Sequence, residues 1–268
     1  MSSSRPRNAP RRPWLPLAIV AVLLAVGAAA AAGAWYLFVR PAAPGVVGLA
    51  VLPTATPGAG ASAETNGADP TAATAETAAP ASPTTLDGTW SVDPAIGSFD
   101  DFSGSFVGYR VQEELAGIGA ATAVGRTPDV NGTLTLDGTT IAEVAIEADL
   151  TTLQSDSSMR DGQLGRQGLE TDQFPTATFA PTEPIELQAV PADGEAIQVT
   201  AVGDLTLHGA TNRVTIPLEA RLSGGVVTVV GSLPIAFGDY GMTAPESFRV
   251  LSIDENGEME FQLHFTQT

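Results

Sequence analysis

The sequence predicts an all-β body, an antiparallel barrel of about eight strands with one short helical insert, preceded by one transmembrane helix and a disordered linker. Three observations carry that reading. Apolar residues of positions 85–268 recur with period two almost throughout, the mark of strands with one wet face and one apolar face. Turn dipeptides separate the alternating runs, so connections are short and neighbours antiparallel. Only residues 155–175 break the pattern.

The elements follow in chain order. Residues 1–13 form a basic N-terminus with Arg5, Arg7, Arg11 and Arg12. Residues 14–39 carry no charge and would extend roughly 39 Å as a helix, against about 30 Å for a bilayer core. The basic flank holds the N-terminus in the cytoplasm, which places the rest of the chain outside as a single-pass cell-membrane protein. Trp35, Tyr36 and Phe38 fall at the exit, the depth that favours amphipathic rings. A cleaved signal peptide competes, with Ala28–Ala32 as its small-residue cleavage region, but its core of about 7–15 residues is shorter than this stretch. Residues 40–84 are a linker: positions 41–84 hold 14 Ala, seven Pro and seven Thr with no aromatic residue. Such a segment cannot offset its ordering entropy by burial.

The body, residues 85–268, is long enough to bury around 70% of its unfolded surface in one core. Val144, Ile146, Ala148 and Leu150 alternate with polar or small residues, as do Val214, Ile216, Leu218, Ala220 and Leu222, and Met259, Phe261, Leu263 and Phe265. Asn131-Gly132, Asp137-Gly138, Gly224-Gly225 and Asn256-Gly257 read as turns. Pro217, on the outward side of its run, implies an edge or a bulge. In the insert, Ser155, Asp156, Ser157 and Ser158 are helix caps, and Met159, Leu164 and Leu169 could face inward from one or two short turns. The glycines at 162, 165 and 168 exclude a long helix.

Composition excludes several functions. The body carries seven Arg against 27 acids, which repels nucleic acid. All 12 basic residues are Arg and there is no Cys, so Schiff-base chemistry, a phosphate-loop lysine, thiolate catalysis, disulfides and an acylated cysteine are absent. Two histidines without a thiolate make a poor transition-metal set, so no metal is expected. Asp254–Glu258 lacks the spacing of a calcium loop. Asn131-Gly132-Thr133 matches a glycosylation sequon, which matters only in a eukaryotic secretory route. No nucleophile elbow or nucleotide fingerprint is present, and no catalytic residue is assigned.

Two long motifs carry a family resemblance. MRDGQLGRQGLETDQFPTATF (159–179) resembles the arginine-aspartate motif and the following Phe-Pro-Thr-x-x-Phe element of the YceI-like family of polyisoprenoid-binding proteins, and GDLTLHGATNRVTIPLEARL (203–222) resembles that family's hairpin. Trp90-Ser91-Val92-Asp93 resembles its opening strand and Glu260-Phe261 its closing one. The stretch Glu113–Asn131 departs from it, being longer and richer in Gly and Ala than the family's loop. The resemblance implies an extended lipocalin-like barrel that holds the apolar chain of an isoprenoid quinone or another amphiphilic lipid, non-catalytically and without a cofactor. On that basis Tyr109, Leu150, Leu164, Phe174, Phe179, Leu205, Leu207, Phe237 and Phe261 are candidate walls, although apolar inward residues also simply fill cores. Arg160 and Asp161 are candidates to fix the insert over the barrel mouth or to meet a head group, against a structural ion pair or cap. His208, at the Leu-His-Gly turn, is a ligand candidate against a turn-backbone bond. His264, on the outward face of the last strand, is expected to be solvated. A homodimer is compatible with the sequence. The rival from another class is a cell-surface interaction module with a solidly packed barrel, and a lipid-modifying enzyme would need a polar cluster inside it.

Overall fold

Strands with one apolar face and short connections bury that face by closing on one another. The chain does this in the computed structural model, which describes residues 43–49, 86–247 and 250–268. The strands are β1 (Gly88–Val92), β2 (Phe106–Leu115), β3 (Gly119–Thr127), β4 (Val130–Asp137), β5 (Thr140–Asp149), β6 (Gln154–Ser155), β7 (Thr176–Pro181), β8 (Ile185–Glu186), β9 (Ala196–Leu207), β10 (Ala210–Ser223), β11 (Val226–Ala236), β12 (Val250–Ile253) and β13 (Asn256–Gln267). The order β1-β4-β5-β7-β9-β10-β11-β13 returns to β1, closing eight antiparallel strands. β1 covers only the end of β13, at Phe265–Gln267, and the long β2–β3 hairpin takes over at Glu258–Gln262.

The alternating runs of β5, β10 and β13 turn their apolar residues inward, as the period-two pattern requires. Pro217 stands one residue before the β10–β11 pairing begins at Leu218, on the half of β10 that pairs only with β9. Asp137-Gly138 and Gly224-Gly225 are turns, with Gly138 at φ 62° and Gly224 and Gly225 at 58° and 82°.

Two expected turns fall elsewhere. Asn131-Gly132 lies inside β4, where Gly132 pairs with Ile146. A Cβ there would meet the Ile146 Cδ1 at 2.5 Å, so this glycine serves close packing between strands. Asn256-Gly257 begins β13, and the bend falls just before it, between strands that pair with β2 rather than with each other. The Gly- and Ala-rich stretch after Glu113 is not a loop either: it forms the end of β2 and all of β3.

The insert is a helix α1 (Ser158–Gln163) followed by a π-helical turn, Leu164–Gly168. Ser157 caps α1 by accepting from the Arg160 amide. Leu164 and Leu169 pack inward, but Met159 is 59% exposed, because α1 is short and presents that side to solvent.

A second correction concerns the outer wall. Residues 93–105 fold over the outward face of β13, so His264 is buried rather than solvated. Its Nε2 meets the Ser103 carbonyl at 2.9 Å and its Nδ1 the Thr228 hydroxyl at 2.9 Å. Gln262 Nε2 donates to the carbonyls of Phe102 and Gly104 beside it. On the same face of β13, Glu260 pairs with Arg110 and Arg126.

Among the described residues no helix is long and apolar enough to cross a membrane. The span expected at 14–39 and most of the linker expected at 40–84 lie outside the described residues.

Candidate functional site

The barrel interior is divided along its axis. At one end Leu150, Leu205, Leu207, Ile216, Phe237, Tyr240 and the insert residues Leu164 and Leu169 pack into a solid plug. From that plug toward the opposite end runs a cavity with ≈ 1310 Å³ of empty volume, counting the part that opens to solvent. Its lining is apolar except for Thr178 and Arg221. Leu86, Leu187, Pro191, Ile197 and Leu222 form its partly exposed rim. The rim is organised by the incoming chain: the Trp90 indole donates to the Leu86 carbonyl at 2.9 Å.

Small residues keep the lumen open. Ala148, Ala177 and Ala201 occupy inward positions on β5, β7 and β9. Gly231 faces Phe261 across the β11–β13 pair, and a Cβ there would meet the Phe261 Cζ at 2.6 Å. Gly203, diagonal to Phe179 across the β7–β9 pair, has that ring 2.7 Å from where its Cβ would stand. Both rings therefore lie against glycine backbone on the wall, and the space that they would otherwise fill stays free.

Of the expected walls, Phe179, Leu205 and Phe261 line the cavity. Leu150, Leu164, Leu207 and Phe237 belong to the plug, together with Leu205 and Phe179 at its boundary. Phe174 lies against the His208 imidazole, ring centroids 4.4 Å apart. The sequence reading did not single out Ala201, Val199 or Ile197 on β9 as walls. Their period-two spacing with Leu205 was the available signal.

The polar candidates gather at the plugged end, away from the lining. Arg160 pairs with Glu113 at 2.7 Å and with Asp156 one turn earlier. Asp161 accepts from the Ser155 amide at 3.0 Å and from its hydroxyl. These bonds tie α1 to β2 and β6, and none of these five side chains lines the cavity. Tyr109 projects from β2 into this group, and its hydroxyl is buried beside Ser155. A Cβ on Gly125 opposite would strike the ring at 2.4 Å, so glycine is what admits the tyrosine there.

Burial is the main cause that raises the Tyr109 pKa; Arg160 opposes it, and Asp161 and Glu113 add to it. The native chain therefore keeps a proton that the unfolded chain releases above pH of about 10. Stability is full below that pH and falls above it by about 1.4 kcal/mol per pH unit until the native phenol also ionises. Tyr109→Phe is expected to remove the Tyr109 share of this alkaline loss, leaving that of Tyr240, whose pKa burial also raises, and to change stability at neutral pH by no more than about 1 kcal/mol. Urea unfolding on both sides of the tyrosine pKa checks it; an equal alkaline loss in the variant would refute the assignment.

His208 stands at the β9–β10 turn with φ 51°, beside Gly209 at 73°. Its Nδ1 meets the Tyr240 carbonyl at 3.0 Å and its Nε2 the Glu170 carboxylate at 2.9 Å. Glu170 also has a positive φ, 47°, so two residues in the left-handed region brace each other where the insert meets the plug. His208→Ala should cost about 1–3 kcal/mol in chemical denaturation and leave lipid uptake by the folded protein unchanged, because the ring is outside the lining. Loss of uptake at full stability would make His208 a ligand contact instead.

Among the described residues no three His, Asp or Glu side chains cluster as a metal site. Arg221 is the one charged side chain of the lining. A site of this kind can sequester a long apolar chain, and it holds no arrangement of acid, base and nucleophile.

Among curated proteins none matches this chain. In fold it is similar to a polyisoprenoid-binding domain from Saccharophagus degradans implicated in plant cell wall breakdown, with 21% identity and a TM-score of 0.52 over 67% of this chain and 98% of that one. BcnA of Burkholderia cenocepacia is similar at 20% identity, with a TM-score of 0.49 over 65% of this chain and 98% of that one. The YceI-like domain model matches residues 85–265, from just before β1 to near the end of the closing strand, and the chain belongs to the YceI-like domain family.

Proposed function

We propose that the protein is a membrane-anchored, extracytoplasmic binding protein for a polyisoprenoid or related amphiphilic lipid, which it stores, transports or shields without catalysis. The observation that carries this is the apolar cavity, open at one rim, inside a closed barrel. A lipid chain burying about 400 Å² there would gain at most roughly 10 kcal/mol, at about 25 cal/mol per Å². Much of that is lost to ordering on association, and the remainder is compatible with micromolar binding or better. The similarity to a polyisoprenoid-binding domain agrees with such a ligand. The anchor rests on the uncharged stretch 14–39 and its basic flank.

Native mass spectrometry of the full chain, followed by organic extraction and lipid identification, tests the reading. A stoichiometric isoprenoid or fatty ligand supports it. A lipid-free protein that also refuses a quinone and a fluorescent fatty acid would favour the interaction module. Protease digestion of intact cells tests the topology, since an extracytoplasmic barrel is reached from outside and a cytoplasmic one is protected.

A further inference from the structure

The outer wall carries a buried charge cluster that the lipid site does not use. Glu260 is 1% exposed and receives Arg126 at 2.6 Å and Arg110 at 3.2 Å. Two guanidinium groups thus share one carboxylate, leaving one positive charge in excess under cover. The rings of Phe102 and Phe106 lie 4.4 and 4.2 Å from the Arg126 guanidinium carbon and meet part of that charge. The remaining donors point at backbone from far away in sequence. Arg110 Nη2 donates to the carbonyls of Pro44 at 2.7 Å and Gly45 at 2.9 Å, and Arg126 Nη2 donates to Gly45 at 3.2 Å.

We propose that residues 44–49 are a latch, a docked segment of the linker whose carbonyls complete the Arg110–Glu260–Arg126 cradle on the barrel wall. The sequence around it supports this independently. All five Val and Leu residues of positions 41–84 fall between 46 and 52, and the rest of that stretch has none. Pro44, Val47 and Leu49 are half-buried, while Val46 points to solvent at 74% exposure. The compact unit that contains the barrel begins at Pro44.

The latch changes what the linker does. On the anchored reading proposed above, only residues 40–43 would separate span from latch, at most about 14 Å of extended chain. Undocked, positions 41–84, 44 residues, would reach about 37 Å as a coil. Leu49 and Leu86 are then both held on the barrel, one at the outer wall and the other at the cavity rim.

The chain has no cysteine, so nitroxide pairs can be placed at will on the full chain in detergent micelles. Labels at Val46→Cys and at Thr215→Cys, an exposed position on β10, report the latch; a pair at Ala75→Cys and Thr215→Cys reports the linker beyond it. The expected result by pulsed electron resonance is a Val46 distance distribution at least about threefold narrower than that of Ala75. Arg110→Ala should broaden it to the Ala75 width. If Arg110→Ala unfolds, Val47→Ser with Leu49→Ser, which alters no barrel residue, carries the same expectation. A Val46 distribution as broad as the Ala75 one, or one that stays narrow in the variants, overturns the latch. Lipid extraction from the same samples separates the two readings: a narrow distribution in a lipid-free protein sinks only lipid binding, and a broad one in a lipid-loaded protein sinks only the latch.

Discussion

Glu260→Ala will unfold the protein at a much lower temperature than any neighbouring surface substitution. The carboxylate is the shared acceptor of Arg110 and Arg126, and its removal leaves two guanidinium groups, Arg126 against Phe102 and Arg110 against residues 44 and 45, without their counter-charge. Breaking a buried ion pair from one side costs about 3–5 kcal/mol, which for a domain of this size lowers the midpoint by roughly 6–20 °C. Glu260→Gln keeps one acceptor oxygen and should fall between. Replacing all three charges by methionine should recover most of the loss, since the penalty is that of charges left unpaired rather than the worth of the pair. Differential scanning calorimetry decides it: a shift within a degree or two for Glu260→Ala would mean that water reaches the arginines and that the cluster is not a buried one.

The second large effect is on ligand uptake. Ala201 is 1% exposed, points inward from β9 and lines the cavity. Ala201→Trp places an indole in the lumen, where the empty volume accepts it without the strain of overpacking a filled core. Uptake of a fluorescent fatty acid or a quinone should drop at least about tenfold, equivalent to about 1.4 kcal/mol, with the melting temperature held or raised. Thr200→Trp, one residue away on the exposed face, is the control and should bind as the parent does. Equal uptake by both variants would place the ligand outside the barrel.

Much of the barrel was legible because side-chain alternation is a local property. The runs 144–150, 214–222 and 259–265 each state which face is apolar, and the structure turns those faces inward. Gly224-Gly225 was legible as a turn because adjacent glycines supply the positive φ that a tight hairpin needs. Gly132 misled for a related reason: glycine also serves strand packing, and only the approach of Ile146 from the next strand separates the two uses. His264 was misplaced because its outward direction was right and its solvation was not. A covering segment that meets it from 161 residues earlier in the chain leaves no periodic trace in the strand that it covers.

The candidate site divides the same way. Phe179, Leu205 and Phe261 line the cavity because inward apolar positions on neighbouring strands meet in the lumen. Arg160, Asp161 and His208 were conspicuous in sequence, yet they brace the plugged end. Fold class, strand faces and the chemistry excluded by missing Lys and Cys follow from the order of residues alone, because they depend on period and composition. Which end of the barrel is filled and which stays open depended on the folded chain. So did the recess of two phenylalanines against glycines and the meeting of Arg110, Arg126 and Glu260 with residues 44 and 45. Each of these is a contact between segments far apart in sequence, and no local pattern encodes how much space such segments leave between them.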